Sequence, residues 1–195
     1  LNIDEGKLDD AEKVLNEIKD IIDQVNDPLE LAVLHGNFGT LYLQQGKVNE
    51  AYSEFEKMYD LCEKYNYKNK STQALVNLGV IHNMQGKLSD AIEIFIKMIK
   101  VCEELGDRKV AAQAYGNLAI SQMFLKNYEL AAKNYQIQIA ISKKLGDKFN
   151  MIRANNNIGY NYIEMGDYEK AVEYTKMSMK INDEVGVPDS RAQSC

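Results

Sequence analysis

Laid out in rows of forty, the sequence aligns with itself without a gap over its 195 residues. Ala11, Ala51, Ala91, Ala131 and Ala171 share one column without exception. Asn37, Asn77, Asn117 and Asn157 share another. A third reads Gly6, Gly46, Gly86, Lys126 and Gly166, and a fourth Asn26, Asn66, Gly106, Gly146 and Gly186. Self-similarity at a fixed period of roughly 20–50 residues indicates a stack of like units, each burying its apolar face against the next, in place of one closed core.

Each column has a local reason. Asn and Gly tolerate the left-handed conformation that ends a helix, so the 26/66/106/146/186 column marks helix ends. The 46/86/166 glycines sit between two segments of helical apolar period, where a tight turn needs a residue without a Cβ. Pro28 and Pro188 fall at one repeat position just past a helix end, where proline suits a first turn. The alanine column reads as a helix crossing too close for a larger side chain. No segment alternates with the period of two that marks a strand. The unit is helix, short turn, helix, which predicts nine complete helices.

The residues inside the units resemble a known pattern. Phe38-Gly39-x2-Tyr42 leads to Ala51-x3-Phe55, and Leu78-Gly79-x2-His82 to Ala91-x3-Phe95. Leu118-Ala119-x2-Gln122 leads to Ala131-x3-Tyr135, and Ile158-Gly159-x2-Tyr162 to Ala171-x3-Thr175. This resembles the tetratricopeptide repeat (TPR) signature over essentially the whole chain. The period is 40 where the commonest TPR has about 34, the tryptophan column reads His35, Leu75, Tyr115 and Asn155, and the closing proline is Asn or Gly. With Leu-Gly-Asp at 105–107 and 145–147, those features resemble the longer-repeat subclass of Pins-type spindle-orientation adaptors, rapsyn and kinesin light chains. The resemblance implies an all-α fold, a right-handed α-solenoid of antiparallel helix pairs. Residues 1–195 are expected to form a single array. A second helix occupies 1–26, repeats span 27–66, 67–106, 107–146 and 147–186, and a further repeat begins at 187–195. The chain then reads as an excerpt of a longer array, with Cys195 exposed at its cut end.

Composition narrows the function. Twenty-three Lys plus Arg against 29 Asp plus Glu give a net charge of −6, which argues against nucleic acid as the main partner. No apolar run reaches the ~20 residues of a membrane helix, so no membrane insertion is expected. Two histidines and three cysteines leave little material for metal or nucleophile chemistry. Phosphate loops, Ser/His/Asp sets and paired catalytic carboxylates are missing from the sequence. The expectation is no enzyme, no catalytic residue, no metal and no cofactor. His35 and His82 fall in interior columns and read as core histidines. Cys62 and Cys102, on successive second helices too far apart for a disulfide, read as free thiols, consistent with a reducing, cytoplasmic setting.

The first helices carry the candidate site. At 100° per residue, positions 33, 37, 40 and 44 form one stripe opposite the signature columns 35, 38, 39 and 42. In a TPR stack that stripe lines the concave groove. Across repeats it reads Val33, Gln73, Gln113 and Arg153, then Asn37, Asn77, Asn117 and Asn157. Thr40, Val80, Ile120 and Tyr160 follow, and then Gln44, Met84, Phe124 and Glu164. An asparagine amide offers two donors and an acceptor, enough to pair with both groups of a peptide's main chain. The ladder reads either as a peptide contact or as cross-links between neighbouring first helices. Val80, Met84, Ile120 and Phe124 read either as an apolar binding patch or as packing against second helices. TPR proteins that clamp a terminal carboxylate pair this asparagine column with basic residues in the 33/73/113/153 column, where only Arg153 is basic.

Together these readings point to a protein-interaction scaffold or adaptor whose groove holds a peptide segment of a partner protein. The alternative is a peptide-sensing regulatory domain of a larger signalling or transcription-control protein. End-to-end self-association through the cut ends is a further partner expectation.

Overall fold

The computed structural model describes residues 5–186, and helices make up all of their regular structure. In chain order they are α1 (Glu5–Val25), α2 (Pro28–Gln44), α3 (Val48–Lys64), α4 (Lys68–Met84), α5 (Leu88–Leu105), α6 (Arg108–Phe124), α7 (Tyr128–Leu145), α8 (Lys148–Glu164) and α9 (Tyr168–Val185). These are the nine helices that the repeat predicts. Pro188 and Cys195 lie outside the described residues. The chain divides into two compact units, Leu1–Ile94 and Phe95–Cys195. In the first, α1 packs on α2, α2 on α3 and α3 on α4; in the second, α6 packs on α7, α7 on α8 and α8 on α9. The architecture is an all-α helical-repeat solenoid. None of the described helices is long and apolar enough to cross a membrane.

Every helix end falls on the columns that mark it. Asn26, Asn66, Gly106, Gly146 and Gly186 have φ of 53°, 58°, 68°, 67° and 66°. At Leu-Gly-Asp 105–107 the Gly106 N–H donates to Glu103 O and the Asp107 N–H to Cys102 O, closing α5 with paired bonds around a left-handed residue. The aspartate then starts the next helix: Asp107 accepts from the Val110 N–H at 3.0 Å and Asp147 from the Asn150 N–H at 3.0 Å. Asp27 does the same for α2, accepting from Leu29 N at 2.8 Å ahead of Pro28. Such a cap is worth about 1 kcal/mol. Bonds from the Asn150 backbone and side chain hold the Asp147 carboxyl below its ordinary value. Its contribution is therefore complete above the ordinary aspartate range and is lost as pH falls through the lowered value.

The turn glycines are demanded by backbone conformation. A Cβ at Gly46, Gly86 or Gly166 would meet no atom within 4 Å, so room is not what demands glycine. The backbone is, with φ of 74°, 73° and 77°. Lys126 adopts φ 61° at the same position and carries the strain. A non-glycine residue held left-handed costs about 1–2 kcal/mol, partly offset by the lower chain entropy it has when unfolded. Lys126→Gly should therefore raise stability by about 0.5–1 kcal/mol in a urea melt.

The core of the first unit gathers Ala32, Ala51, Phe55, Met58, Cys62, Ala74, Leu78 and Ile81. That of the second gathers Ala119, Ala131, Ala132, Tyr135, Ile158, Tyr162 and Ala171. Ala51, Ala91 and Ala131 are wholly buried and Ala171 nearly so. Small residues on the first helix admit large ones from the second. At Gly39 a Cβ would lie 2.8–2.9 Å from three atoms of the Phe55 ring, whereas at Gly159 the nearest atom, Thr175 Oγ1, is 3.2 Å away. A rigid ring cannot yield as a threonine can. Gly39→Ala should cost about 1–3 kcal/mol in thermal melts, and Gly159→Ala clearly less.

Candidate functional site

The structure leaves the predicted stripe open on every first helix. Within the first unit, α2 presents Val33, Asn37, Thr40 and Gln44, and α4 presents Gln73, Asn77, Val80 and Met84; all are exposed or half-buried. Within the second, α6 presents Gln113, Asn117, Ile120 and Phe124, and α8 presents Arg153, Asn157, Tyr160 and Glu164, again with none buried. The opposite columns are buried or half-buried, from Phe38 and Gly39 to Ile158 and Gly159. The apolar positions split: Ile120 packs on the core of its unit and Val80 is half-buried. Met84 (63% exposed), Phe124 (58%) and Tyr160 (52%) stand in solvent.

The asparagine ladder is unpaired. The side-chain amides of Asn37, Asn77, Asn117 and Asn157 have no hydrogen bond to the described residues, so they do not tie neighbouring helices together. Other asparagines take the structural part. Asn161 is wholly buried and its Nδ2 donates to Tyr128 O at 3.0 Å. Buried Asn155 donates to Met151 O at 2.7 Å. Asn161→Ala should thus destabilise by about 1–3 kcal/mol, the cost of leaving a buried group unmatched. Asn117→Ala and Asn157→Ala should stay within about 0.5 kcal/mol in the same chemical denaturation series.

Charge on the stripe is sparse. Arg153 Nη2 donates to Asn150 Oδ1 at 2.9 Å, which anchors the guanidinium to the first turn of α8. A hydrogen bond from the Tyr160 hydroxyl to Glu164, and the charge of that carboxylate, hold the phenol above its ordinary value. In the first unit the stripe borders a hollow of ≈ 500 Å³ between α1 and α2. Asn37, Thr40 and Gln44 form one wall, and Lys7, Asp10 and Val14 of α1 face them. The part played by α1 was not read in the sequence. Ala11, its member of the alanine column, also lines the hollow and was the available signal.

The two histidines and the described cysteines are taken up in pairing and packing. His35 is half-buried with Nδ1 2.5 Å from Glu54 Oε2, and Lys57 binds the other oxygen at 2.6 Å. Burial works to raise the Glu54 carboxyl, but the bonds from Lys57 and His35 prevail and its value is lowered. His82 is buried against the Tyr52 ring, edge to face at 5.3 Å. Cys62 and Cys102 are buried free thiols, and burial pushes Cys102 up to about 11. Among the described residues there is no group of three or more His, Cys, Asp or Glu placed to hold a metal ion.

A family model of the tetratricopeptide repeat matches residues 30–104, 70–136 and 110–184. The chain belongs to the tetratricopeptide-repeat family. A search of curated proteins gives no match. Solved structures share the fold at low identity. The apo form of RapI superposes with a TM-score of 0.84 at 17% identity, covering 92% of this chain and 65% of RapI. The Rap conjugation gene regulator of plasmid pLS20, in complex with the Phr* peptide, gives 0.76 at 16%, covering 92% of this chain and 48% of the regulator. A putative kinesin light chain of Podospora anserina with nearly identical TPR-like repeats gives 0.76 at 15%, covering 93% and 90%. This TPR chain thus spans about two thirds of RapI and half of the pLS20 regulator.

Proposed function

We propose that this TPR chain is a protein-interaction module that holds an extended segment of a partner protein on the asparagine-bearing faces of its first helices. The observation that carries the reading is the unpaired amide of Asn37, Asn77, Asn117 and Asn157 on otherwise accessible helix faces. Groups able to bond a main chain stand ready without breaking any bond of their own, so binding exchanges only bonds to water. Gln73, Gln113 and Arg153 extend the polar row, while Val80, Met84, Ile120, Phe124 and Tyr160 supply apolar contacts beside it. With one basic residue in the leading column, the faces suit a segment read through its backbone and apolar side chains in preference to a terminal carboxylate. The backbone of the repeats is built before the ligand arrives, so the ordering cost falls on the segment.

A peptide complex of the structurally similar pLS20 Rap regulator supports a peptide as the class of ligand. Its description as a gene regulator favours a second reading, in which peptide binding controls an attached effector. Two buried free thiols fit a reducing, cytoplasmic setting.

The test is calorimetric titration of the partner recovered by pulldown. Asn77→Ala with Asn117→Ala should bind about tenfold more weakly or worse, two lost bonds at roughly 0.5–1.5 kcal/mol each, with an unchanged circular dichroism spectrum. Phe124→Ala should weaken mainly ligands with an apolar side chain. Unchanged affinity in the asparagine pair, with loss on substituting exposed Glu93 of α5, would place the partner elsewhere and overturn the reading.

A further inference from the structure

One repeat departs from the others on its second helix. The column of residue 140 reads Asp20, Asp60, Lys100, Ala140 and Lys180, so α7 alone is uncharged there. The column of residue 137 reads Glu17, Lys57, Lys97, Ile137 and Met177. On α6 the column of residue 111 reads Leu31, Ser71, Ala111 and Met151, the smallest side chain again falling in this repeat. These changes coincide in space. Within the unit Phe95–Cys195 a hollow of ≈ 510 Å³ opens between the end of α5, the start of α6 and the second half of α7. Ala111, Ile137, Ala140 and Ile141 form its apolar walls, and buried Cys102 also lines it.

Its polar lining has a definite sign. Arg108 and Lys144 both line the hollow, against a single carboxylate, Glu103. Neither cation has an ion-pair partner among the described residues. Half-buried Tyr115 completes the lining. The chain as a whole carries −6, so two unpaired cations beside an apolar cavity run against its general charge. The volume lies within the roughly 300–1,000 Å³ of small-molecule pockets, and apolar walls with a few convergent polar groups are their usual make-up.

We propose that this hollow is a second binding site, separate from the first-helix faces, for a small ligand that joins an apolar body to a carboxylate. The apolar body lies against Ile137, Ala140 and Ile141, and the carboxylate meets Arg108 and Lys144. Ala140 is the determinant of access: a charged side chain there, as in the other repeats, fills the mouth.

The experiment titrates 4-phenylbutyrate and its neutral counterpart 4-phenylbutanol into the chain carrying isotope-labelled isoleucine methyls. Saturable shifts of the Ile137 and Ile141 methyls are expected with the acid, and about tenfold weaker binding of the alcohol. Lys144→Gln should bring the acid close to the alcohol and leave the alcohol unchanged. Ala140→Lys and Ile137→Lys, each restoring a residue found at that position in other repeats, should weaken the acid about tenfold or more with an unaltered circular dichroism melt. Shifts that do not saturate below about 10 mM, equal binding of acid and alcohol, or affinity untouched by both lysine variants would each overturn the proposal. None of these outcomes depends on the asparagine faces, so the two sites stand or fall separately.

Discussion

The close approach of paired helices at their small residues is the contact on which the rest of the structure depends. Gly39 and the buried alanines Ala51, Ala91 and Ala131 leave no room for a larger side chain. Aromatic rings such as Phe55, Phe95 and Tyr135 are wholly buried. That arrangement fixes which side of each first helix is hidden. The other side, a half-turn away, is left to solvent by geometry alone. The asparagine faces are thus a consequence of the packing, because no core residue is spent on presenting them.

The left-handed columns set the length of the unit. Each helix is closed by a residue with positive φ, and in four places an aspartate directly after such a residue caps the next helix. The solenoid therefore reads as alternating stops and starts at fixed spacing, and the forty-residue period is the sum of two helices and their turns. Lys126 shows that the turn geometry is imposed by the flanking helices strongly enough to force an unsuited residue into it.

Most of this was legible in the chain because the repeat supplies its own comparison. Five copies of one column identified Ala51 and its equivalents as a crossing, and four copies of another the asparagine ladder as a shared face, without reference to any other protein. Two features were hidden. The α1 wall opposite Asn37 and Gln44 depends on which helix borders the stripe, and periodicity within one helix does not report it. The bond from Asn161 to Tyr128 O joins residues on different helices. The column of residue 161, Leu41, Ile81, Ser121 and Asn161, marks that position as interior, but nothing in it names the carbonyl the amide would reach. The hollow beside Ala140 was likewise visible only as a break in a charged column, a signal that acquires meaning once α5, α6 and α7 are known to border one space.

Within each unit, the packed helix pairs are neighbours along the chain. Little loop entropy is spent in bringing such partners together, so the contact order is low and folding is expected on the fast, helical side of the kinetic range. The same locality limits cooperativity. A helix pair can open without a distant strand or domain giving way, and the free energy of opening then varies from pair to pair along the chain. A protein assembled in this way can tolerate the loss or gain of a whole unit, since each interface is answerable only to the next one.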